Sequence, residues 1–429
     1  MFSLTPFFKS FRHIDISRMT TNNVINKIQL EYSNVNPAIV LGLNFNGLGI
    51  IRSLSGLKIP LIGIYSNDFE IGRHSKYCMA LYFPLLANDP ECFKNKLIQL
   101  GKKLNKKSVL LPQNDEYVKF ISDNRIELEE YFLFQIPSKK LLDNIINKQE
   151  AEDIAQQNGL NVPKSIIPKK DTDIKGLDKK LKFPLIIKSY DSFSQKFSGR
   201  RKVVDNNSEL ISFFNDHPEL IGDTIVQEVN GKGDGYIFQC QTYYNLNSEP
   251  LAFFTVKKVR QYPPDFGVGS YVKSEINNDI IKLSKKFLKK IKYKGAASLE
   301  FIYLKDEKKY VFVELNPRYP GHISFCTADG INFPYITYCD LVEINHKYQT
   351  PKQLQRKNFL WVECDLRSYY KRLSQGNPPN FFSWVMTYLA SNSYLYFSKN
   401  DIMPFIFRLS IYRWFMRLLK KGKLLIKSI

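Results

Sequence analysis

The alternation of apolar and polar positions predicts a series of strands and helices in the first third of the chain. Between residues 36 and 137, the apolar runs "AIVLG", "IPLIGIYS", "MALYFPL" and "SVLLPQ" are separated by stretches such as "LGIIRSLSGL", whose apolar spacing is helical. Strands that alternate with helices are typical of a parallel sheet. We therefore predict a Rossmann-like α/β domain over residues 36–137, preceded by an extension over residues 1–35.

The pattern changes near residue 138 and predicts a second, mixed α+β domain that ends near residue 345. Its first lobe, residues 138–225, contains a helix at "KQEAEDIAQQNGL" and a buried strand at "FPLIIKSY". Its second lobe, residues 226–345, ends in the apolar runs "GAASLEFIYL" and "KYVFVELNP", joined by the polar turn "KDEKK". Two such runs around a short polar turn predict an antiparallel hairpin.

The end of this hairpin carries polar residues at alternate positions, Glu314, Asn316 and Arg318. Side chains two residues apart in a strand share a face, and Glu300 of the neighbouring run can converge on the same point. Two carboxylates and an amide oxygen form a hard oxygen site of the kind that binds magnesium. A strand end that faces solvent is the alternative interpretation.

Two further features are compatible with an anionic ligand. Lys188 ends a strongly apolar strand, where a lysine is rarely placed without a partner, and Lys202 follows in "GRRKVV". Gly42, Gly47 and Gly49 lie where the first strand turns into the first helix, whose N-terminus can hold an anion. Their spacing differs from the dinucleotide-binding fingerprint, so an ordinary tight turn explains them equally well.

Composition narrows the class of protein. The 429 residues contain 62 Lys and Arg against 41 Asp and Glu, a formal charge of +21, which fits an anionic substrate, nucleic acid, an anionic membrane or a solvated surface. The six cysteines are scattered and include no Cys-x-x-Cys pair, which favours a cytoplasmic location over a disulfide framework or a zinc site. We expect no signal peptide and no membrane span, because charged residues interrupt the apolar runs.

The last block, residues 346–429, is rich in aromatic residues and is predicted to be a helical C-terminal extension. Its final stretch is basic, and four of the basic residues share one helical face: Arg413, Arg417, Lys420 and Lys421. Such a helix could make a peripheral contact with the inner face of an anionic membrane. A helix that packs on its own protein is the alternative.

Three segments resemble sequences of the ATP-grasp enzymes: "LEFIYL", "YVFVELNPRYPG" and the following "ADGINFPYITY". The resemblance covers roughly residues 36–340, and it is to carboxylate–amine ligases related to D-aspartate ligase and to the carbamoyl-phosphate synthase domains. It implies a Rossmann-like domain followed by a two-lobed grasp domain. It also implies that Glu300, Glu314 and Asn316 bind Mg²⁺, with Mn²⁺ as an alternative, and that Arg318 faces the transferred phosphate as a catalytic residue.

The same resemblance assigns residues to ATP. Lys148 and Lys188 match lysines that contact the nucleotide phosphates, with Lys188 also catalytic, and Arg260 matches a catalytic position that faces the phosphates or the acyl group. The segment "VQEVNGKGDG" resembles the one that binds adenine through its backbone and ribose through its acid, and it contains Gln227, Glu228, Val229, Asn230 and Asp234.

The reaction implied by the resemblance is a two-step ligation, in which a small-molecule carboxylate is activated by ATP and an amine then displaces phosphate. The sequence departs from the family where a glycine-rich loop is expected, so Lys196, Arg200 or Lys202 would replace its phosphate contacts. The alternatives are a carboxylating enzyme similar to biotin carboxylase, a degenerate fold without activity, and a basic protein that binds a membrane or nucleic acid. No nucleic-acid-binding motif is visible, so nucleic acid is not expected, and homo-oligomers are left open.

Overall fold

A computed structural model describes residues 20–189, 197, 201–229, 235–264, 267–344 and 351–409. The described strands form sheets of five, four and seven strands. The strands are β1 (Ala38–Leu41), β2 (Leu61–Tyr65), β3 (Met79–Tyr82), β4 (Ser108–Pro112), β5 (Phe132–Leu133), β6 (Ser165–Ile166), β7 (Leu185–Ser189), β8 (Arg201–Val204), β9 (Thr224–Glu228), β10 (Ile237–Tyr244), β11 (Pro250–Tyr262), β12 (Val268–Ser274), β13 (Gly295–Leu304), β14 (Lys309–Asn316), β15 (Asn358–Leu360) and β16 (Ser393–Tyr394).

Helices connect these strands and cover the sheets. The α-helices are Thr21–Glu31, Phe45–Leu54, Pro90–Lys103, Asp115–Asp123, Arg125–Glu129, Lys139–Ile146, Lys148–Gln157, Asp171–Ile174, Asn207–Asp216, Asn278–Lys290, Ile323–Ala328, Phe333–Leu341, Val362–Ser374, Phe381–Ala390 and Met403–Arg408. None of these described helices combines the length and the apolar composition needed to cross a membrane.

The five-stranded sheet is parallel throughout, in the order β3-β2-β1-β4-β5, which confirms the predicted Rossmann-like arrangement. All residues of β1 and β2 are buried. Helices cover both faces of a sheet built by strand–helix–strand crossovers, so its central strands are continuously apolar rather than alternating. This explains why runs such as "AIVLG" lack a period of two.

The turn after β1 is an ordinary tight turn rather than an open anion site. Gly42 has a φ of +85°, which favours glycine, and a Cβ added to Gly47 would lie 2.1 Å from the Gly42 carbonyl oxygen. The side chain of Gln113 fills the space above the helix that begins at Phe45, and its Oε1 accepts hydrogen bonds from the N–H groups of Asn44 (2.9 Å) and Gly47 (3.4 Å). An internal amide oxygen therefore takes the place that an anion would occupy.

The four-stranded sheet has the order β6-β9-β7-β8 and the seven-stranded sheet the order β14-β13-β10-β11-β12-β15-β16. The predicted hairpin is β13 and β14, whose register pairs Glu300 with Glu314 and Ser298 with Asn316. Directly paired residues of antiparallel strands project from the same face. The hairpin therefore places both glutamates and the asparagine on one face of the large sheet.

The C-terminal block is not only helical, because β15 and β16 extend the seven-stranded sheet. β15 pairs with β12 and so covers a sheet edge that would otherwise expose unpaired backbone groups. One buried cluster joins the parallel sheet, the large sheet and this block, and it includes Ile50, Phe254 and Phe359. The basic helical face predicted around Arg413 lies outside the described residues.

Candidate active site

A cavity lies between the four-stranded sheet and the hairpin end of the seven-stranded sheet. Its lining includes Lys148, Lys188, Gln227, Glu314 and Asn316. The residue pattern predicted Lys188, Glu314 and Asn316, and the family resemblance added Lys148 and Gln227, although the five are spread over 169 positions of the chain (148 to 316). The fold therefore brings two predicted phosphate-binding lysines and two of the three predicted metal ligands, Glu314 and Asn316, to one cavity.

The carboxylate of Glu300 is held by neighbouring strands of the large sheet. Lys258 Nζ lies 2.5 Å from its Oε2 atom, and Gln239 Nε2 donates to the same oxygen at 2.7 Å. Gln239 follows from the register, because β10 pairs it directly with Glu300. Neither Lys258 nor Gln239 was predicted, since only the pairing of β10 with β13 and the path of β11 bring them here.

Glu314 faces the cavity with cations around it. Asn316 Nδ2 donates to its Oε1 atom at 2.9 Å. Burial alone would raise the pKa of Glu314, but the charges of Arg201, Lys258 and Arg318 and the hydrogen bond from Asn316 outweigh it, so its pKa is lowered. The carboxylate is therefore ionised at neutral pH and available to a cation.

The donor set fits a magnesium ion that shares its ligands with a substrate. Within the described part of the chain, no group of three or more His, Cys, Asp or Glu side chains could hold a metal by itself. The hairpin offers two carboxylates and one amide, Glu300, Glu314 and Asn316. Magnesium commonly takes one or two protein carboxylates and completes its octahedron with phosphate oxygens and water, so the small number of protein ligands suits it.

Lys188 is buried at the end of β7 in a hydrogen-bonded network. Its Nζ atom donates to Glu152 Oε1 (2.8 Å) and to Gln227 Oε1 (3.1 Å), and Gln227 Nε2 donates to the same oxygen of Glu152 (2.8 Å). Ser165 Oγ donates to the other oxygen of Glu152 at 2.8 Å. The network fixes the ammonium at the cavity wall, as expected of a lysine that needs a partner in buried surroundings.

Glu152 is the central residue of this network and was not predicted from the sequence. A signal for it exists, because Glu152 lies four residues after Lys148 in one helix, and such residues share a helix face. Lys148 lines the cavity and its Nζ atom donates to the carbonyl oxygen of Ser189 at 3.1 Å. A glutamate on the cavity side of that helix could have been expected to accompany a buried lysine.

The structure differs from the prediction at Lys202. The register of β7 and β8 pairs Lys188 with Arg201 and pairs Ile187 with Lys202, so Lys202 projects from the sheet face opposite the cavity. Arg201 lines the cavity and its charge acts on Glu314. The sequence identified the basic segment but could not supply the strand register, which a shift of one residue would reverse.

Arg318 links the hairpin end to the parallel sheet. Its Nε atom lies 2.9 Å from Asp115 Oδ1, and its Nη2 donates to Asn316 Oδ1 at 3.2 Å. Asp115 begins the helix after β4 and lines the cavity. Asp115 therefore holds the Arg318 guanidinium beside the cavity, and the role of Arg318 toward phosphate stays a prediction.

Arg260 lies in a different environment from the one predicted. It forms a buried two-point pair with Asp365, Nε to Oδ1 at 2.8 Å and Nη2 to Oδ2 at 3.0 Å, and its Nη2 also donates to Thr387 Oγ1. It is not among the residues that line the cavity. The sequence could not reveal the pair, because Asp365 is 105 residues away.

The predicted adenine segment reaches the cavity through its described residues, Gln227, Glu228 and Val229. Glu228 Oε1 accepts a hydrogen bond from the N–H of Lys182 (2.9 Å), and the N–H of Val229 donates to Pro184 O (3.0 Å). Four further predicted residues, Lys196, Arg200, Asn230 and Asp234, lie outside the described residues.

The comparison with solved structures confirms the predicted ATP-grasp fold. The biotin carboxylase domain of the 2-oxoglutarate carboxylase of Hydrogenobacter thermophilus, solved with ADP, magnesium and bicarbonate, matches with a TM-score of 0.57 and 16% identity over 75% of this chain and 73% of that chain. The L-amino acid ligase of Bacillus licheniformis matches with a TM-score of 0.55 and 17% identity over 71% and 74%.

Among curated proteins, the chain is 26% identical over 311 residues to D-aspartate ligase of Enterococcus faecium (strain Aus0004), which covers 68% of this chain and 74% of the relative. No family model matches the chain. The sequence relative is thus of the ligase type that the motifs "LEFIYL" and "YVFVELNPRYPG" indicated.

Proposed function

We propose that this protein is an ATP- and magnesium-dependent carboxylate–amine ligase. The observation that carries the proposal is the pairing of Glu300 with Glu314 beside Asn316, on a face that meets Lys148 and Lys188 across one cavity. Acidic oxygen ligands opposite buried cations match the needs of a metal–triphosphate complex. The similarity to D-aspartate ligase supports the same reaction class.

We propose that ATP binds with its phosphates between Lys148, Lys188 and Arg201 and its adenine against Gln227–Val229. Glu300, Glu314 and Asn316 would hold the magnesium ion, with manganese as an alternative. When bound, the ion would neutralise the charge on the terminal phosphates. Lys258 pairs with Glu300, so its ammonium would lie beside the phosphates that share the metal site.

The reaction would take place in two steps. An oxygen of the substrate carboxylate attacks the γ-phosphorus of ATP, the bond from that phosphorus to the β,γ-bridging oxygen breaks, and ADP leaves. The amine nitrogen then attacks the acyl carbon, phosphate leaves with the carbon–oxygen bond electrons, and the nitrogen loses its proton. The residues of the cavity hold the reactants in line and stabilise phosphate charge, and no covalent enzyme intermediate is required.

The test is release of ADP with ATP, magnesium and a panel of carboxylates and amines, including bicarbonate. We expect release to require both an acid and an amine, and Glu314→Gln to lower it roughly 10²–10³-fold because the ionised ligand is lost. Glu307→Gln is the matched control, since Glu307 lies in the exposed turn of the same hairpin and should retain full activity.

Two outcomes would contradict this function. Release of ADP that ignores every acid in the panel would rule out ligation. Release that requires bicarbonate alone would instead identify a carboxylating enzyme similar to biotin carboxylase.

We propose a cytoplasmic location, which the scattered cysteines without a Cys-x-x-Cys pair support. Small-molecule acid and amine substrates would be its partners, and peripheral membrane contact through the basic C-terminal helix and a homo-oligomer remain parts of the proposal. The domain limits 36–137, 138–345 and 346–429, with a lobe border near residue 225, are proposed as predicted.

A further inference from the structure

The helix Phe381–Ala390 exposes an apolar stripe to solvent. Phe382 is 79% exposed, Met386 59% and Leu389 75%, and no residue of the helix is buried. These three positions follow the spacing i, i+4, i+7 that marks one face of a helix. Apolar residues in that pattern normally face a core, so their exposure indicates a surface made for contact.

The opposite side of the same helix is firmly fixed to the protein. The ring of Trp384 stacks on Tyr369 with centroids 4.4 Å apart, and its Nε1 donates to Asp365 Oδ2 at 2.8 Å. Thr387 Oγ1 accepts a hydrogen bond from Arg260 at 2.8 Å. The stripe is therefore presented in a defined orientation. The preceding helix, Val362–Ser374, adds exposed Tyr370 and Leu373, and we call these five side chains the aromatic surface.

The segment that carries most of the aromatic surface is basic. Residues 366–400 contain Arg367, Lys371, Arg372 and Lys399 and no acidic residue. Of the acids that flank this span, Glu363 is paired with Arg408, and Asp365 and Asp401 are buried and paired with arginines. Their charge is therefore neutralised inside the protein and does not offset the basic residues outside.

We propose that the aromatic surface docks onto an anionic phospholipid membrane. Exposed aromatic and aliphatic side chains can insert into a bilayer, and the basic residues beside them attract anionic lipid. Peripheral membrane binding requires both properties. Two copies of this protein would instead bring like charges together, which disfavours self-association through this surface. The proposal goes beyond the ligase function and does not depend on it, because it rests on residues outside the cavity.

The experiment is sedimentation of the full chain with vesicles of phosphatidylcholine alone or phosphatidylcholine mixed with phosphatidylglycerol. We expect binding to the mixed vesicles, weakened by added salt, and at least a ~10-fold loss of vesicle affinity in the triple variant Phe382→Ser, Met386→Ser, Leu389→Ser. The matched control replaces by serine Leu30, Ile126 and Leu246, which are 86%, 85% and 66% exposed and lie in other parts of the chain, and it should bind like the wild type.

Three results would overturn the proposal. Equal binding by the triple variant and the wild type would show that the surface does not contact lipid. A wild-type dimer that the triple variant converts to a monomer, without vesicle binding, would identify a second copy as the occupant. A lower melting temperature of the triple variant, without vesicle binding by the wild type, would show that another part of the chain packs on the surface.

Discussion

Buried charges occur in two kinds of environment in this protein. Each carboxylate oxygen of Asp365 accepts two hydrogen bonds, from Arg260 and Ser270 on one side and from Arg260 and Trp384 on the other. Glu314, in contrast, receives one hydrogen bond from the residues that the structure describes, donated by Asn316, and it otherwise faces cations across the cavity. We call the pair of Asp365 and Arg260 saturated, because each carboxylate oxygen already accepts two hydrogen bonds and can take no ligand. An ionised carboxylate with fewer donors, such as Glu314, can still bind a cation.

The saturated pairs attach the C-terminal block to the other parts of the fold. Asp365 ties it to the large sheet, and Asp401 ties it to the parallel sheet through Arg52 Nε (3.1 Å) and Ser75 Oγ (2.9 Å). Buried charges of the first kind therefore hold the fold together, whereas those of the second kind line the cavity. Arg260 belongs to the first kind by its contacts, although the sequence suggested the second.

The largest expected effect concerns the saturated pair. Asp365→Asn should lower the free energy of unfolding by about 3–5 kcal/mol, because it leaves the Arg260 guanidinium buried without its counter-charge. Urea unfolding measures this loss. The control is Glu249→Gln at the exposed pair with Lys289, where a change below about 0.5 kcal/mol is expected. Similar losses in both variants would break the distinction between saturated and exposed pairs.

Replacement of Glu152 should cause a smaller loss of unfolding free energy, and nucleotide should reverse part of that loss. Glu152→Gln should cost about 1.5–3 kcal/mol, because it weakens charge-assisted hydrogen bonds to Lys188. ADP with magnesium should then add more stability to this variant than to the wild type, since phosphate replaces the missing negative charge. Urea unfolding with and without the nucleotide measures this gain in stability. An equally large gain in Asp365→Asn would show that the effect is not specific to the cavity.

The third prediction is a loss of stability in mild acid through His74, which stacks on Phe407 with centroids 3.6 Å apart. Burial, with a smaller effect of the Arg73 charge, lowers the pKa of His74 from 6.5 to about 4. The unfolded chain therefore binds the proton more readily than the folded chain does. The stability that neutral His74 contributes is present above about pH 6.5 and is lost as the pH falls toward 4.

Between pH 7 and pH 5 the loss should reach about 2 kcal/mol for this residue. His74→Leu should show a flatter dependence of unfolding free energy on pH than the wild type. An unchanged slope in the variant would show that His74 is not the group responsible.

The smallest expected effect tests the strand register at the basic segment. Arg201→Ala should raise the KM for ATP about tenfold, equivalent to about 1.4 kcal/mol, because Arg201 shares the cavity face with Lys188. Lys202→Ala is the matched control on the opposite face and should leave the KM nearly unchanged. A larger increase in the KM for ATP in Lys202→Ala than in Arg201→Ala would support the sequence-based assignment of Lys202 and contradict the register.

Much of the site could be predicted because local geometry determines it. The period of two along β13 and β14 places Glu300 and the pair Glu314 and Asn316 on one face without any knowledge of the rest of the fold. Lys188 was detectable because a lysine at the end of a buried strand requires a partner. The identity of that partner, Glu152, depended on how a helix packs against β7 and β9, so the sequence left it open.

The alternation of strands and helices, the hairpin and the residue types of the predicted phosphate site could be read from the sequence, because they depend on neighbours a few positions apart. Three further features required the folded chain: Arg201 rather than Lys202 faces the cavity, Lys258 reaches Glu300, and Arg260 is bound by Asp365. Those contacts depend on strand register and on pairs of residues far apart in the chain. A shift of one residue or a different packing of the same elements would change them without altering any local pattern.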